Sequence, residues 1–164
     1  MGFLTTFLGR LFSSRASLAL LPVGSRAPDF EVLDHKGRTV RLVDHRGGRV
    51  VLWFFPKAST SGCTRQGCAF RDHAREYQQK GVRVLAASFD TIAANHRFAE
   101  EQRFPFPILC DVDRRVGLAY RAARKASDSH PRRITYVIGP DGSIEQAIET
   151  KDPGAQAGAL LESL

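Results

Sequence analysis

Two cysteines, Cys63 and Cys68, are the residues with the clearest chemical capacity, and a segment of small polar residues, 57–62, directly precedes them. A cysteine attacks an electrophile as its thiolate, so a reactive cysteine needs surroundings that favour a negative charge. The pattern that follows a buried strand predicts that Cys63 lies in the first turn of a helix, where free backbone N–H groups and the helix dipole favour an anion. Cys63 is therefore the candidate nucleophile.

A peroxide is one electrophile that such a site could reduce. The thiolate would strike one peroxide oxygen in line while the other leaves as hydroxide or alkoxide, and donors must hold the substrate and stabilise the departing charge. Thr60, one helical turn before Cys63, can supply a hydroxyl, and an arginine from elsewhere in the fold can supply a fixed positive charge. The alternative for Thr60 is a hydroxyl that serves only the loop or the helix cap, and the two roles can coexist.

The number and spacing of the cysteines argue against two other uses. Three cysteines are too few for the disulfide framework of a small secreted domain, and they suit a reducing compartment. Cys63 and Cys68 do not form a Cys-x2-Cys pair, and no pair of histidines at ligand spacing follows them, so we expect no metal site and no cofactor.

The formal net charge of +7, from 24 basic and 17 acidic residues, favours contact with anionic surfaces. The basic residues are nevertheless separated by apolar positions, and no basic run with interleaved aromatic residues is present. We therefore expect a solvated basic surface and no specific binding of nucleic acid.

The apolar pattern predicts one α/β domain with a mixed central sheet flanked by helices and with an N-terminal β-hairpin. The chain of 164 residues has room for a single core. The predicted elements are a hairpin within 26–42, strands at 49–55, 82–89, 106–109, 134–138 and 143–149, and helices at 63–80, 91–102, 113–123 and 153–164.

Residues 1–21 read as a separate arm, and 22–164 as the domain. The arm contains no Asp or Glu, and its apolar residues recur at the spacing of an amphipathic helix. Three interpretations remain open: an arm that docks on its own domain or on a partner subunit, an organelle transit peptide, or a membrane-surface anchor.

Several separated motifs resemble those of the peroxiredoxins, in particular the bacterioferritin-comigratory or Q-type subgroup. The Pro-x3-Thr-x2-Cys signature of this family is present in full as Pro56, Thr60 and Cys63. The other matching segments are Trp53-Phe-Phe-Pro-Lys57, Gly62-Cys-Thr-x-Gln-x-Cys68, Arg71-Asp72, Phe106-Pro-Ile-Leu109 with Asp111, and Arg133-x-Thr-Tyr-Val-Ile138 before Pro-Asp-Gly. The resemblance covers about residues 22–150.

The resemblance implies a thioredoxin-like fold and a peroxidase that a thioredoxin or a similar dithiol protein recycles. By this likeness Cys63 is the peroxidatic cysteine and Cys68 the resolving cysteine. Thr60 is then the peroxide-binding hydroxyl, Pro56 shields the thiolate, and Arg133 is the activating guanidinium. Many Q-type relatives are monomers, so a monomer is implied, although the apolar arm could join two chains into a dimer.

Each assignment has an alternative. Cys63 could be an inert buried thiol, and Arg132 could take the role given to Arg133. We expect Cys110 to be a buried residue that only packs in the core, and its alternative is a resolving role. The whole chain could also be a thioredoxin-like disulfide reductase or a non-catalytic redox-sensing binding module. We expect a cytoplasmic protein, or one that is organelle-targeted or membrane-peripheral through residues 1–21.

A disulfide between Cys63 and Cys68 places a geometric demand on the helix that carries them. Two residues five positions apart on an α-helix have Cα atoms about 8 to 9 Å apart. A disulfide requires less than about 7 Å. The helix around Cys63 and Cys68 must therefore unwind before the bond can form.

Overall fold

The computed structural model describes residues 18–164, which form a five-stranded sheet with helices on both faces and a separate two-stranded hairpin. The strands are β1 (Glu31–Leu33), β2 (Thr39–Arg41), β3 (Arg49–Phe54), β4 (Val82–Ser88), β5 (Ile108–Cys110), β6 (Ile134–Ile138) and β7 (Ile144–Glu149). The helices are α1 (Ser61–Asp72), α2 (Ala74–Gln79), α3 (Ile92–Gln102), α4 (Arg115–Ala119) and α5 (Gln156–Ser163), and a 3-10 turn covers Leu42–His45.

The sheet has the strand order β5-β4-β3-β6-β7, with β3 in the centre. Strand β3 is a nearly continuous apolar run, as expected for a strand that is covered on both faces. It pairs in parallel with β4 and antiparallel with β6, so the sheet is mixed. This pairing brings the end of β3 beside the start of β6, because Trp53 is opposite Thr135.

Two apolar cores lie on opposite faces of the sheet. Alternate residues of β3 supply each core, because successive side chains of a strand point to opposite faces. Val51 and Trp53 pack on the face that α1, α2, α3 and α5 cover. Leu52 and Phe54 pack on the other face, against α4 and the segment that precedes the hairpin.

The mixed sheet and the hairpin that the sequence predicts are confirmed, and β6 has the predicted bounds. The predicted helix 63–80 is wrong in two respects. The helix begins at Ser61, and it is broken at His73 into α1 and α2. The break directs α2 so that Tyr77 is buried and its hydroxyl donates to the carbonyl of Ala157 at 2.6 Å.

Two other predicted helices are shorter than expected. The predicted helix 113–123 is only α4, because Arg121 adopts a left-handed backbone with φ of 58° and so ends the helical path. The predicted helix 153–164 begins at Gln156, because Asp152 accepts a hydrogen bond from the backbone of Ala155 and holds the preceding residues in a turn.

The predicted arm falls mostly outside the described residues. Its last residues, 18–21, lie against the domain: the Leu18 carbonyl accepts a hydrogen bond from Arg132, and the Leu21 amide donates to the Tyr136 hydroxyl. The division at residues 21 and 22 stays a prediction. None of the helices described within 18–164 has the length and apolar character needed to cross a bilayer.

Replacing Gly67 with Ala should lower the free energy of unfolding by about 1 to 3 kcal/mol, the usual effect of overfilling a packed interior. An added Cβ at Gly67 would lie 2.3 Å from the ring of Phe104, which is itself buried. Urea unfolding measures the difference. Gly154→Ala is the matched control because its Cβ meets nothing closer than 3.8 Å. Equal stability of Gly67→Ala and wild type would mean that the Phe104 ring moves aside freely.

Candidate active site

The loop between β3 and α1 forms the floor of the site. Pro56 is partly buried, and Ser59 adopts a left-handed backbone with φ of 62° just before α1 begins. The amide of Ala58 donates to the carboxylate of Asp90, beyond the end of β4, at 2.9 Å. The carboxyl ends of β3 and β4 thus fix the loop from both sides, as is usual for sites in α/β sheets.

Thr60 is the N-cap residue of α1, but its hydroxyl does not cap the helix. The hydroxyl donates to the Lys57 carbonyl at 2.8 Å, and its oxygen retains lone pairs that can accept another hydrogen bond. Thr60 is exposed. Within residues 18–164, no side chain is found to cap α1, so its first backbone N–H groups remain available to an anion.

Cys63 lies in the first turn of α1 and is 0% exposed. Its sulfur packs in the core on the α1 side of the sheet, and the guanidinium of Arg133 contacts it, with Nη2 3.4 Å from Sγ. Gly62 leaves room for this contact, because a Cβ there would lie 3.1 Å from the same nitrogen. A positive charge therefore touches a buried sulfur at a helix N-terminus.

Arg133 reaches Cys63 because it directly precedes β6, whose start is paired with the end of β3. Its backbone carbonyl accepts a hydrogen bond from the amide of Thr150. Arg132 is directed elsewhere: its guanidinium donates to the carbonyls of Leu18 and Arg121. Of these two adjacent arginines, Arg133 contacts the candidate nucleophile.

Two buried glutamines, Gln66 and Gln156, belong to the site although no sequence motif predicts a role for them. Gln66 is 0% exposed, and its side-chain oxygen accepts a hydrogen bond from Arg133 Nη1 at 2.8 Å. Its side-chain nitrogen donates to Gln156 Oε1 at 2.7 Å. The periodicity of α1 could have indicated that Gln66 faces inward, since it lies one turn after Cys63. No local pattern links it to Gln156, which is ninety positions away.

Cys68 lies on the same helix as Cys63, and all three cysteines are free thiols. It is partly buried, with its sulfur 3.5 Å from the side-chain oxygen of Gln102 at the end of α3. Arg71 donates to the backbone carbonyl of Gln102 at 2.8 Å, and its hydrogen bond to Asp72 raises its pKa. The structure thus holds Cys68 on an intact helix.

Cys110 ends β5 in a different environment. Its sulfur accepts a hydrogen bond from the side chain of Asn95 at 3.4 Å, and burial raises the pKa of its thiol. Within the described part of the chain, no arginine is recorded in contact with its sulfur. Its surroundings therefore favour the neutral thiol.

Together these residues can stabilise a thiolate at Cys63 and position a substrate beside it. A thiolate at Cys63 would face a guanidinium and the N-terminus of α1, and the Thr60 hydroxyl lies one turn earlier. A peroxide bound there would meet a nucleophile, a hydrogen-bonding hydroxyl and a fixed positive charge, the three elements that cleavage of an O–O bond requires.

Comparison with known proteins gives consistent matches. The model of the AhpC/TSA family matches residues 23–147. The chain is 37% identical over 134 residues to "Peroxiredoxin Bcp" of Escherichia coli, which covers 79% of this chain and 86% of that protein. It is also 37% identical over 122 residues to "Peroxiredoxin Q, chloroplastic" of Triticum aestivum, covering 74% of this chain. The chain spans only 56% to 65% of the length of that protein and its rice counterparts.

Solved structures match over most of the chain. "Peroxidoxin BcpB" of Mycobacterium tuberculosis superimposes with a TM-score of 0.80 at 32% identity, over 86% of this chain and 94% of that one. The bacterioferritin comigratory protein of Xanthomonas campestris gives 0.76 at 27% identity, over 82% and 88%. These matches confirm the predicted thioredoxin-like fold.

Proposed function

Because the chain belongs to the AhpC/TSA family, with peroxiredoxins of the Q and Bcp type among its relatives, we propose that it is a thiol-dependent peroxidase. Cys63 reduces hydrogen peroxide or a small alkyl hydroperoxide, Cys68 closes a disulfide with it, and a thioredoxin-like dithiol protein restores both thiols. The Xanthomonas campestris structure is described by its alkyl peroxide reduction activity, which supports this substrate class.

In the first step the Cys63 thiolate attacks one peroxide oxygen. A sulfur–oxygen bond forms, the O–O bond breaks, and the second oxygen leaves as hydroxide or alkoxide and takes up a proton from solvent. The sulfur becomes a sulfenic acid. Thr60 accepts a hydrogen bond from the peroxide, Arg133 stabilises the thiolate and the departing charge, and Pro56 limits the access of water.

The contact between Arg133 and the buried Cys63 is the observation that carries the proposal. A cysteine that serves only as packing is surrounded by apolar atoms, because a guanidinium loses hydration when it enters the interior. Here the guanidinium lies 3.4 Å from the sulfur, and Gln66 satisfies another of its N–H groups. The guanidinium therefore stands where it would stabilise a thiolate formed at Cys63.

In the second step the Cys68 thiol attacks the sulfenic sulfur, and water leaves as the disulfide forms. Both cysteines lie on α1, so the helix must unwind between them before the sulfurs can meet. Unwinding also exposes the disulfide to the reductant. The dithiol protein then attacks the disulfide, and two exchanges return Cys63 and Cys68 to thiols while the reductant is oxidised.

The proposal includes an oligomeric state and a location. The protein is proposed to be a monomer of the cytoplasm. The relatives include both bacterial proteins and plant proteins named as chloroplastic, and so they favour no single compartment.

Replacing the cysteines one at a time should separate their roles. Cys63→Ser should reduce peroxide consumption to the rate without protein, because the nucleophile is lost. Cys68→Ser should consume one equivalent and then stop, with a sulfenic acid that a dimedone adduct detects by mass spectrometry. The assay follows peroxide loss with thioredoxin, thioredoxin reductase and NADPH in excess.

Cys110→Ser is the matched control, and we expect it to keep wild-type turnover. Full turnover by Cys68→Ser would contradict the resolving role of Cys68. Consumption of a single equivalent by the wild type, with reductant in excess, would instead indicate a redox sensor. Rapid reduction of insulin by the wild type, without peroxide consumption, would indicate a disulfide reductase.

Oxidation should reduce the helix content of the wild-type protein. The twelve residues of α1 include both cysteines, and a disulfide between them is incompatible with an intact helix. Far-ultraviolet circular dichroism should lose helical signal after one equivalent of peroxide and regain it with dithiothreitol. Cys68→Ser should keep its signal. An unchanged wild-type spectrum beside a disulfide confirmed by mass spectrometry would contradict this mechanism.

Removing the charge of Arg133 should slow the attack on peroxide by about 100- to 1000-fold, the usual effect of losing one preorganised donor at a developing charge. Arg133→Met removes the contact to Cys63, and Arg132→Met is the neighbouring control because Arg132 is directed elsewhere. Stopped-flow single turnovers give the second-order rate constants. If Arg132→Met slows the attack as much as Arg133→Met, the assignment of Arg133 is wrong.

A further inference from the structure

Gln156, the first residue of α5, connects the C-terminal helix to the proposed active site. Its side-chain oxygen accepts hydrogen bonds from Gln66 Nε2 at 2.7 Å and from Thr135 Oγ1 at 3.1 Å. Its side-chain nitrogen donates to Thr150 Oγ1 at 2.8 Å. Only 7% of Gln156 is exposed, so these contacts are made in the protein interior.

Arg133 fixes which atom donates in each hydrogen bond that links it through Gln66 to Gln156 and Thr150. A guanidinium can only donate, so the Gln66 side chain must turn its oxygen toward Arg133 and its nitrogen toward Gln156. Gln156 must then present its oxygen to Gln66 and its nitrogen to Thr150. With each amide in one orientation only, the network holds Gln66 in a single position.

The same network opposes the second chemical step. Gln66 lies between Cys63 and Cys68 on α1, and the disulfide requires this part of the helix to unwind. Unwinding withdraws Gln66 from Arg133 and from Gln156. The buried Gln156 side chain then loses one hydrogen-bond partner, and the partly buried Arg133 loses another, which disfavours the unwound state.

We propose that Gln156 is a positioning residue that latches α1 in its helical form, through Gln66, and so sets the balance between peroxide attack and disulfide formation. This inference rests on the proposed function. The folded form, with Gln66 held, keeps Arg133 at the Cys63 sulfur and favours attack. The unwound form, with Gln66 released, brings Cys68 within reach of the sulfenic acid.

The hydrogen bond between Gln156 and Gln66 also affects how readily the Cys63 sulfur is overoxidised. While α1 stays helical, the Cys63 sulfenic acid cannot meet Cys68, and a second peroxide can convert it to a sulfinic acid, transferring one oxygen and leaving water. A tighter latch lengthens this interval, and a weaker latch shortens it. Gln156 therefore acts on the two steps in opposite directions, which a residue that only stabilises the fold would not do.

Trp53 supplies the signal needed to separate the steps. It is the single tryptophan of the chain, and its ring is stacked on Phe70 of α1 at a centroid distance of 5.2 Å. Unwinding of α1 should change its fluorescence. The attack phase depends on the peroxide concentration, and the disulfide phase does not, so stopped-flow traces give a rate constant for each.

Gln156→Leu, which keeps the size but removes the hydrogen bonds, should slow the attack about tenfold and speed disulfide formation by a similar factor. The sulfinic acid at Cys63, measured by mass spectrometry at high peroxide, should decrease. Thr150→Val removes the acceptor for Gln156 Nε2 and should give smaller changes in the same directions. It serves as the second test if Gln156→Leu folds poorly.

Leu161→Ala is the control for weakened packing, because Leu161 is a buried core residue of α5. We expect both of its rate constants to stay within about twofold of wild type, since the loss of packing falls outside the polar network. The positioning role of Gln156 would be contradicted if Gln156→Leu left both rate constants unchanged or slowed both steps. It would also be contradicted if Leu161→Ala changed the two rate constants as much as Gln156→Leu does. A wild type without two phases or a disulfide would instead overturn the proposed function.

Discussion

The contact between the Arg133 guanidinium and the Cys63 sulfur is the interaction on which the arrangement of the site depends. The Arg133 guanidinium is partly buried, and Gln66 and the sulfur supply acceptors for its N–H groups on the protein side. The sheet makes the contact possible because β6 runs antiparallel to β3, and Arg133 at its start faces the helix that leaves the end of β3. Sheet topology, more than local sequence, therefore positions the charge.

In the proposed mechanism helix α1 is ordered in the first step and unwinds in the second, and its composition suits both states. It contains Gly62, Gly67 and several other residues of low helix propensity, and its first turn holds no acidic residue. Its order therefore comes from tertiary contacts. Phe70 packs under Trp53, and Gln66 joins the buried network. A helix of strong formers would resist unwinding, whereas one without these contacts would not hold Cys63 beside Arg133.

Local patterns predicted those features of the fold that depend on short segments. The apolar run of β3, the turn before β7 and the position of Cys63 in the first helical turn were all readable, because each is set by neighbouring residues. The break at His73 and the short α4 were missed, since packing of Tyr77 and the left-handed Arg121 decide them. The Gln66 and Gln156 pair was beyond local reasoning, because it joins two helices through a buried contact.

Cys63 and Cys110 show that two buried thiols can lie in opposite electrostatic surroundings. Both sulfurs are buried, near the carboxyl ends of the parallel strands β3 and β5. Beside Cys110 the neighbour is the neutral amide of Asn95, and burial raises the pKa of the thiol. Beside Cys63 the neighbours are a guanidinium and the start of a helix, both of which favour negative charge. In the proposed mechanism, the charge placed next to Cys63 therefore directs peroxide chemistry to that one of the two buried sulfurs.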